Sequence, residues 1–202
     1  MNSALRTRLD SAKLDLINSG PLSKSLIGNA VFVVAATGLV ALAAHISLPL
    51  PFSPVPLTLQ PFAVVLIGMV LGPVAAFSSM ILYLAEGAMG LPVFTPQGPG
   101  GVAQLLGPTA GFLFSYPFAA GMAGWIARSL SALRSPFARG IAAGTVATAI
   151  IFVFGASWLA SLLHLDSAAA WHLAVVPFLP GEVIKIIAAA TLFSTMRRWQ
   201  QT

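Results

Sequence analysis

The chain contains no cysteine and few charged residues. With no cysteine among its 202 residues, it has no disulfide bond, thiolate nucleophile or cysteine metal site. Charged residues make up 7% of the chain and hydrophobic residues 57%, a composition that does not fit a soluble domain of this length. No polar block is long enough to make a second folded domain. We therefore expect one integral membrane domain.

Sequence motifs of common catalytic sites are also missing. There is no G-x-x-x-x-G-K-[ST] phosphate loop, so we do not expect this chain to hydrolyse ATP itself. No H-E-x-x-H motif occurs, and His45, His164 and His172 lack the compact spacing of a metal site. No G-x-S-x-G nucleophile motif is present. Binding or transport is therefore favoured over enzymatic chemistry, and we expect neither a metal nor a cofactor.

Apolar segments recur along the whole chain. Most of them reach the roughly 20 residues that a helix needs to cross the hydrocarbon core. The second is short, with Pro61 near its start, so it could be tilted or kinked. We predict an all-α integral membrane bundle of six transmembrane helices. The segments are 25–46, 57–72, 74–91, 105–127, 140–163 and 173–196.

Basic residues predict how this bundle is oriented. Six spans place nine of the ten basic residues on one side of the membrane, which the positive-inside rule identifies as cytoplasmic. Both termini then lie in the cytoplasm, and the chain crosses the inner or plasma membrane several times. Because the charges cluster between apolar segments, they favour membrane orientation over nucleic-acid binding. The nine are Arg6, Arg8, Lys13, Lys24, Arg128, Arg134, Arg139, Arg197 and Arg198.

Residues 1–24 are expected to form a cytoplasmic segment separate from the membrane domain, 25–202. The stretch LRTRLDSAKLDLI places apolar residues on one helical face and basic residues elsewhere. This pattern predicts an interfacial amphipathic helix lying on anionic membrane lipid. Disorder of the same residues is the alternative. The apolar face would consist of Leu5, Leu9, Ala12 and Leu16.

An acid and a base lie three positions apart in the last apolar segment. Lys185 is the one basic residue outside the cytoplasmic clusters, and Glu182 shares its helical face. Ionisable groups inside a membrane commonly mark a substrate or ion path; the alternatives are a buried ion pair that fixes helix register and a side chain that snorkels outward to the membrane surface. A second acid, Glu86, lies in the third segment and could contact a ligand or pair structurally.

Two loops on the side opposite the basic clusters carry further signals. The loop 45–61 has five prolines and no charged residue, which predicts a stiff, extended flap rather than a helix. The glycine-rich stretch 95–112 contains Gln97, Gln104 and Thr109. Such a backbone lets polar groups approach a ligand closely, although an ordinary turn between helices has the same composition.

Four stretches together resemble a known family. PVPLTLQPF (54–62), YLAEGAMGLPVF (83–94), LLGPTAGFLFSYPFAAGMAGW (105–125) and PGEVIK (180–185) are similar, in order, to segments of the BioY family. This family comprises the biotin-binding S components of energy-coupling factor (ECF) transporters. The resemblance implies a six-helix bundle that captures biotin from outside. It also implies import coupled to ATP hydrolysis by a separate transmembrane coupling subunit and separate ATPases.

The resemblance also implies which residues bind the ligand. Glu182 and Lys185 match the family's acid-x-x-Lys pair, in which the acid is commonly Asp. The family's loop amide corresponds to Gln97 or Gln104. A carboxylate and an ammonium suit biotin, which offers ureido N–H donors, a ureido oxygen and a valerate carboxylate. Which end of biotin they hold is open, and the alternatives are another vitamin, a membrane-embedded enzyme or a structural subunit.

The sequence departs from the family pattern in the first helix. S components tend to carry an A-x-x-x-A motif there, where small residues let the coupling subunit approach closely. That motif is absent between residues 25 and 48. The nearest substitutes are Thr37 with Ala41 and Ala43 with Ser47. The alternative is that the alanines pack this helix within its own bundle.

Overall fold

The computed structural model describes the backbone of residues 21–130 and 133–199 and the side chains within 31–130 and 133–199. The amphipathic helix predicted for the N-terminal segment falls largely on residues 1–20, outside the described residues. The first described helix begins at Pro21, four residues before the first predicted apolar segment. In chain order the helices are α1 (Pro21–His45), α2 (Gln60–Leu71), α3 (Pro73–Ala88), α4 (Gly101–Gln104), α5 (Ala110–Ser129), α6 (Pro136–Leu163), α7 (Ser167–Ala174) and α8 (Leu179–Trp199).

The described part of the chain is mainly helical and apolar. Three stretches are long and apolar enough to cross a membrane: Ala110–Ser129, Pro136–Leu163 and Ser167–Trp199. Three shorter apolar helices accompany them, at Val31–His45, Gln60–Leu71 and Pro73–Ala88. These lengths fit a multi-pass membrane protein.

A β-hairpin follows α1 and departs from the all-helical prediction. Strands β1 (Ser47–Leu50) and β2 (Ser53–Thr58) pair antiparallel, where the sequence predicts one extended flap over 45–61. Pairing gives the backbone N–H and C=O groups of a helix-breaking, apolar segment partners within the protein. The register shifts between Leu48 and Leu50, at Pro49, which has no N–H to donate.

The last predicted segment, 173–196, is divided in the structure. Helix α7 ends at Ala174, a 3-10 turn covers Val176–Phe178, and α8 begins at Leu179. Pro177 lacks an N–H and disfavours helical backbone at the residue before it, whereas Pro180 fits the first turn of a new helix. As a result Glu182 lies in the first turn of α8, where a helix favours negative charge.

Helix α5 forms the centre of the bundle. It packs against α6, α2 and α3, and α6 packs against α8. A Cβ on Gly124 of α5 would lie 2.6 Å from the carbonyl oxygen of Gly68, so the backbones of α5 and α2 approach closely only with glycine there. Gly72, which links α2 to α3, has φ of 84°, a conformation that favours glycine.

The small residues exposed on α1 are only partly those predicted from the sequence to contact a coupling subunit. Thr37 and Ala43 are buried, with 3% and 6% exposure, because they face the bundle. Ala35 and Gly38 are exposed and line a shallow groove on the outer surface. Ala41, from the predicted pairs, lines the same groove, so the small residues that α1 presents outward coincide with the predicted pairs only in part.

Candidate binding site

The hairpin, the glycine-rich loop and the four helices α2, α5, α6 and α8 enclose one cavity. Helices α5 and α8 both begin at this end of the bundle, which we call the hairpin end. The cavity has a volume of about 520 Å³ including its mouth, and the part that admits a water molecule is about 40 Å³. Four aromatic side chains form much of its apolar wall: Phe112, Tyr116, Phe152 and Phe178.

The pair predicted from the sequence lies in the wall of this cavity. Lys185 Nζ donates to Glu182 Oε1 at 2.6 Å. Glu182 is 4% exposed, and both residues project from one face of α8 because they are separated by three positions. A buried carboxylate and ammonium are stabilised by each other and provide both an acceptor and donors to a polar ligand.

Two more predicted residues contribute polar atoms to the same cavity. Gln104, which is 1% exposed, ends α4, and Thr109 precedes α5; both line the cavity. Gln104 Oε1 accepts from the N–H of Gly100 at 3.1 Å, and its Nε2 donates to Thr109 Oγ1 at 3.5 Å. These bonds hold the amide in a defined orientation, as a recognition group requires.

Gln60 is a cavity residue that sequence reasoning missed. Its Nε2 donates to Tyr83 Oη at 2.6 Å, and Tyr83 donates in turn to the carbonyl of Val93 at 2.8 Å. Thr58 Oγ1 donates to Gln60 Oε1 at 3.3 Å. Gln60 is 3% exposed and lines the cavity beside Thr58. The signal available in the sequence was an amide directly before the apolar run of α2.

The structure does not bring the other two predicted residues into the cavity wall. Glu86 lies between α3 and α1, where its Oε1 accepts from Thr37 Oγ1 at 3.2 Å. Gln97 is exposed, and its Oε1 accepts from Ser47 Oγ of the hairpin at 2.7 Å and from Thr95 Oγ1. Neither lines the cavity. Glu86 therefore joins two helices, and Gln97 joins the glycine-rich loop to the hairpin.

Basic residues lie at the opposite end of the bundle from the cavity. Helices α5 and α8 run from the hairpin end to Arg128 and Arg197, which line one surface pocket. Arg128 Nη2 donates to the carbonyl of Leu71, at the end of α2, at 2.7 Å. The cavity and these arginines therefore lie at opposite ends of the same helices. Among the described residues, no group of three or more His, Asp or Glu side chains is arranged to hold a metal ion.

Comparison with known proteins identifies relatives of this chain. A probable biotin transporter BioY of Pyrococcus horikoshii is 34% identical over 160 residues, covering 79% of this chain and 90% of that protein. A biotin transporter BioY of Thermotoga maritima is 36% identical over 162 residues, covering 80% and 91%. The crystal structure of the S-component for biotin from an ECF-type ABC transporter matches with a TM-score of 0.78 and 25% identity, covering 87% of this chain and 93% of that one.

The match to the family extends over nearly the whole chain. A sequence model of the BioY family matches residues 12–202, and the solved S-component has the same fold. The resemblance seen in the four sequence stretches is therefore confirmed: the chain belongs to the BioY family.

Proposed function

We propose that this chain is a membrane-embedded biotin-binding subunit that mediates biotin uptake. The observation that carries the proposal is the buried Glu182–Lys185 pair in the wall of a cavity, in a chain of the BioY family. Biotin transporters among its relatives support the choice of vitamin. The family consists of transporters, so the function is transport and not catalysis.

The chemistry of the cavity suits a ligand with a polar ring and an apolar body. Glu182 supplies an acceptor for ureido N–H groups, and Lys185 supplies donors for a ureido or carboxylate oxygen. The Gln104 amide and the Thr109 hydroxyl add neutral partners, while aromatic side chains cover the apolar part of the ligand. Glu86 and Gln97, which lie outside the cavity wall, act structurally in this proposal.

Binding requires the hairpin end to open. The space open to the centres of water-sized spheres is about 40 Å³, enough for only a few water molecules at roughly 10–15 Å³ each. Two side-chain bonds join the hairpin to segments distant in the chain: Ser47 Oγ to Gln97 Oε1 at 2.7 Å, and Ser53 Oγ to the carbonyl of Leu173 at 2.9 Å. Both bonds join surface segments, so the hairpin is the element that moves aside when biotin enters.

Six membrane spans with both termini in the cytoplasm complete the proposal. The three long apolar helices and the three shorter ones provide six spans of a domain covering 25–202, preceded by a lipid-binding segment, 1–24. The position of Arg128 and Arg197 at the end opposite the cavity supports an outward-facing cavity and a cytoplasmic arginine end in the plasma membrane.

Labelling of introduced cysteines tests this topology, and the natural chain contributes no background because it has no cysteine. A membrane-impermeant thiol reagent added to intact cells should reach cysteines placed at Ser53, Gln97 and Ser167. It should not reach a cysteine at Ser131, between the fourth and fifth spans. Labelling at position 131 in intact cells would contradict the topology.

Coupling to separate subunits supplies the energy for uptake in this proposal. The similar solved structure is an S-component of an ECF-type ABC transporter, and this sequence has no phosphate loop of its own. A transmembrane coupling subunit and ATP-hydrolysing subunits are therefore the proposed partners. The exposed small residues Ala35 and Gly38 of α1 allow close approach of a partner helix.

Equilibrium binding of radiolabelled biotin to the purified chain tests the proposed function. We expect saturable binding that unlabelled biotin displaces and that thiamine or riboflavin does not. Displacement by another vitamin in preference to biotin would show an S component of different specificity. Absence of binding by folded protein would reject the proposal.

A further inference from the structure

Thr148, in the middle of α6, has a buried hydroxyl without a hydrogen-bond partner in the described part of the chain. The residue is 5% exposed. Hydroxyls inside membrane helices commonly donate to a carbonyl one turn earlier on their own helix. Thr37 and Ser79 do so, to the carbonyls of Val34 and Ala75, each at 2.8 Å. Thr148 does not, although leaving a buried hydroxyl unpaired is unfavourable.

The surroundings of this hydroxyl indicate what it is placed to bind. Thr148 lines a narrow internal space together with Glu182 and Lys185, and the space is too small for a water molecule. The remaining residues that line the space are apolar: Pro61, Phe62, Val65 and Ile186. The ion pair is therefore the other polar feature in the lining of this space.

The Glu182–Lys185 pair has a use for a third polar group that can donate to Glu182. An ammonium has three N–H donors, and one from Lys185 donates to Glu182 at 2.6 Å; this bond is lost if the ammonium turns toward a ligand oxygen. Glu182, at 4% exposure, would then lose a charge-assisted hydrogen bond in a buried position. A carboxylate in that position requires another donor, and the Thr148 hydroxyl, which lines the same narrow space, is available to supply one.

We propose that Thr148 is a positioning residue of the biotin site, which donates to the Glu182 carboxylate when Lys185 turns to bind an oxygen of the ligand. The inference rests on the proposed function, because biotin is the group that draws Lys185 away. The hydroxyl thus keeps Glu182 oriented and satisfied in the complex. While the Glu182–Lys185 bond is intact, the Thr148 hydroxyl has no partner in the described part of the chain. It gains one when Lys185 turns away from Glu182.

The test uses Thr148→Val, which replaces the hydroxyl by a methyl group of similar size. The unliganded variant should melt at the same temperature as the wild type or higher, because an unpaired buried hydroxyl is removed. Its affinity for biotin should fall about tenfold. Thr148→Ser, which keeps the hydroxyl, should retain most of the affinity. Thr145→Val, the same change at an exposed position of α6, should alter neither property.

A second measurement requires no biotin. In a Lys185→Met background Glu182 has lost its donor, so Thr148 should already be its partner without ligand. Adding Thr148→Val should then lower the melting temperature, although the same change does not lower it in the wild type. Double-mutant cycles measure this kind of coupling directly. Equal effects of Thr148→Val in both backgrounds would overturn the inference.

The outcomes separate this inference from the proposed function. If the folded wild type does not bind biotin, the proposed function fails, whereas the stability cycle still tests the Thr148–Glu182 contact. If the wild type binds and Thr148→Val binds equally well, the inference alone is overturned. If Thr148→Val and Thr148→Ser lose stability and affinity together, Thr148 is a packing residue and the positioning role is rejected.

Discussion

Replacing Lys185 by methionine is expected to weaken biotin binding strongly while most of the protein still folds. Methionine has a similar length and no charge, so the change removes the ammonium and keeps most of the packing. The lost group is the Lys185 Nζ that donates to Glu182 at 2.6 Å. The change therefore affects both the contact to the ligand and the contact to Glu182.

The size of the binding loss follows from the burial of the pair. A hydrogen bond to a charged group contributes about 1.5–3 kcal/mol, and each 1.4 kcal/mol corresponds to about tenfold in affinity. At a site where Glu182 is 4% exposed, screening by solvent is weak. We therefore expect biotin affinity to fall at least tenfold and up to about a hundredfold.

The effect on stability is expected to be smaller than the loss of a buried pair suggests. Removing one partner of such a pair can cost about 3–5 kcal/mol when the other charge is left alone. Glu182 can avoid much of this cost by taking up a proton or by accepting from Thr148. The matched control is Glu182→Gln with Lys185→Met, which removes both charges and should recover stability without recovering affinity.

Titration calorimetry and thermal melting of the same purified variants measure both effects. A ligand role predicts weaker biotin binding by folded Lys185→Met protein. A purely structural ion pair predicts the reverse: a lower melting temperature, with normal affinity in the protein that remains folded. Unchanged affinity of Lys185→Met would refute the reasoning.

Two further predictions concern the loops that cover the cavity. Cysteines at Ser47 and Gln97, whose side chains now bond at 2.7 Å, joined by a cleavable thiol cross-linker, should slow biotin association at least tenfold. Cleavage should restore the rate, and an unchanged rate in the linked protein would contradict hairpin opening. Gly98→Ala places a Cβ against the Gln104 amide and should weaken binding about fivefold. Gly107→Ala, whose Cβ would lie no closer than 3.6 Å to a neighbouring atom, should leave binding unchanged. Equal biotin affinities of the Gly98→Ala and Gly107→Ala variants would argue against a ligand role for the Gln104 amide.

The Glu182–Lys185 pair was predictable because its evidence is local in sequence. Separation by three positions fixes a shared helical face wherever the helix lies. The charges stand out against an apolar background, and the structure joins them at 2.6 Å. Their contact with a ligand stays a prediction, because the spacing in the sequence and the distance in the structure describe only the two side chains.

Helix boundaries were less predictable where apolar composition continues across a break. The stretch 173–181 contains no polar side chain, so hydropathy shows no boundary between α7 and α8. Pro177 and Pro180 were the available signal, since proline disfavours a helix interior and is tolerated in a first turn. The pairing of the hairpin strands was missed for a related reason, because five prolines in 45–61 indicated an extended backbone without indicating its partner.

Contacts between distant segments could not be predicted from the sequence alone. Glu86 meets Thr37 across 49 positions of the chain, and Gln97 meets Ser47 across 50. Which helix each residue faces depends on how the bundle packs, and residue type alone does not encode this. The sequence therefore identified Glu86 and Gln97 as polar residues near the hairpin end but not as residues outside the cavity wall.

The measurement that tests the central claim most directly is a structure of the purified protein with biotin bound. We predict biotin between the hairpin and the aromatic wall, with a polar group within hydrogen-bond distance of Glu182 or Lys185. The hairpin should be displaced relative to the arrangement described here, because the cavity now has room for only a few water molecules. Biotin bound elsewhere, with the Glu182–Lys185 pair out of its reach, would contradict the account.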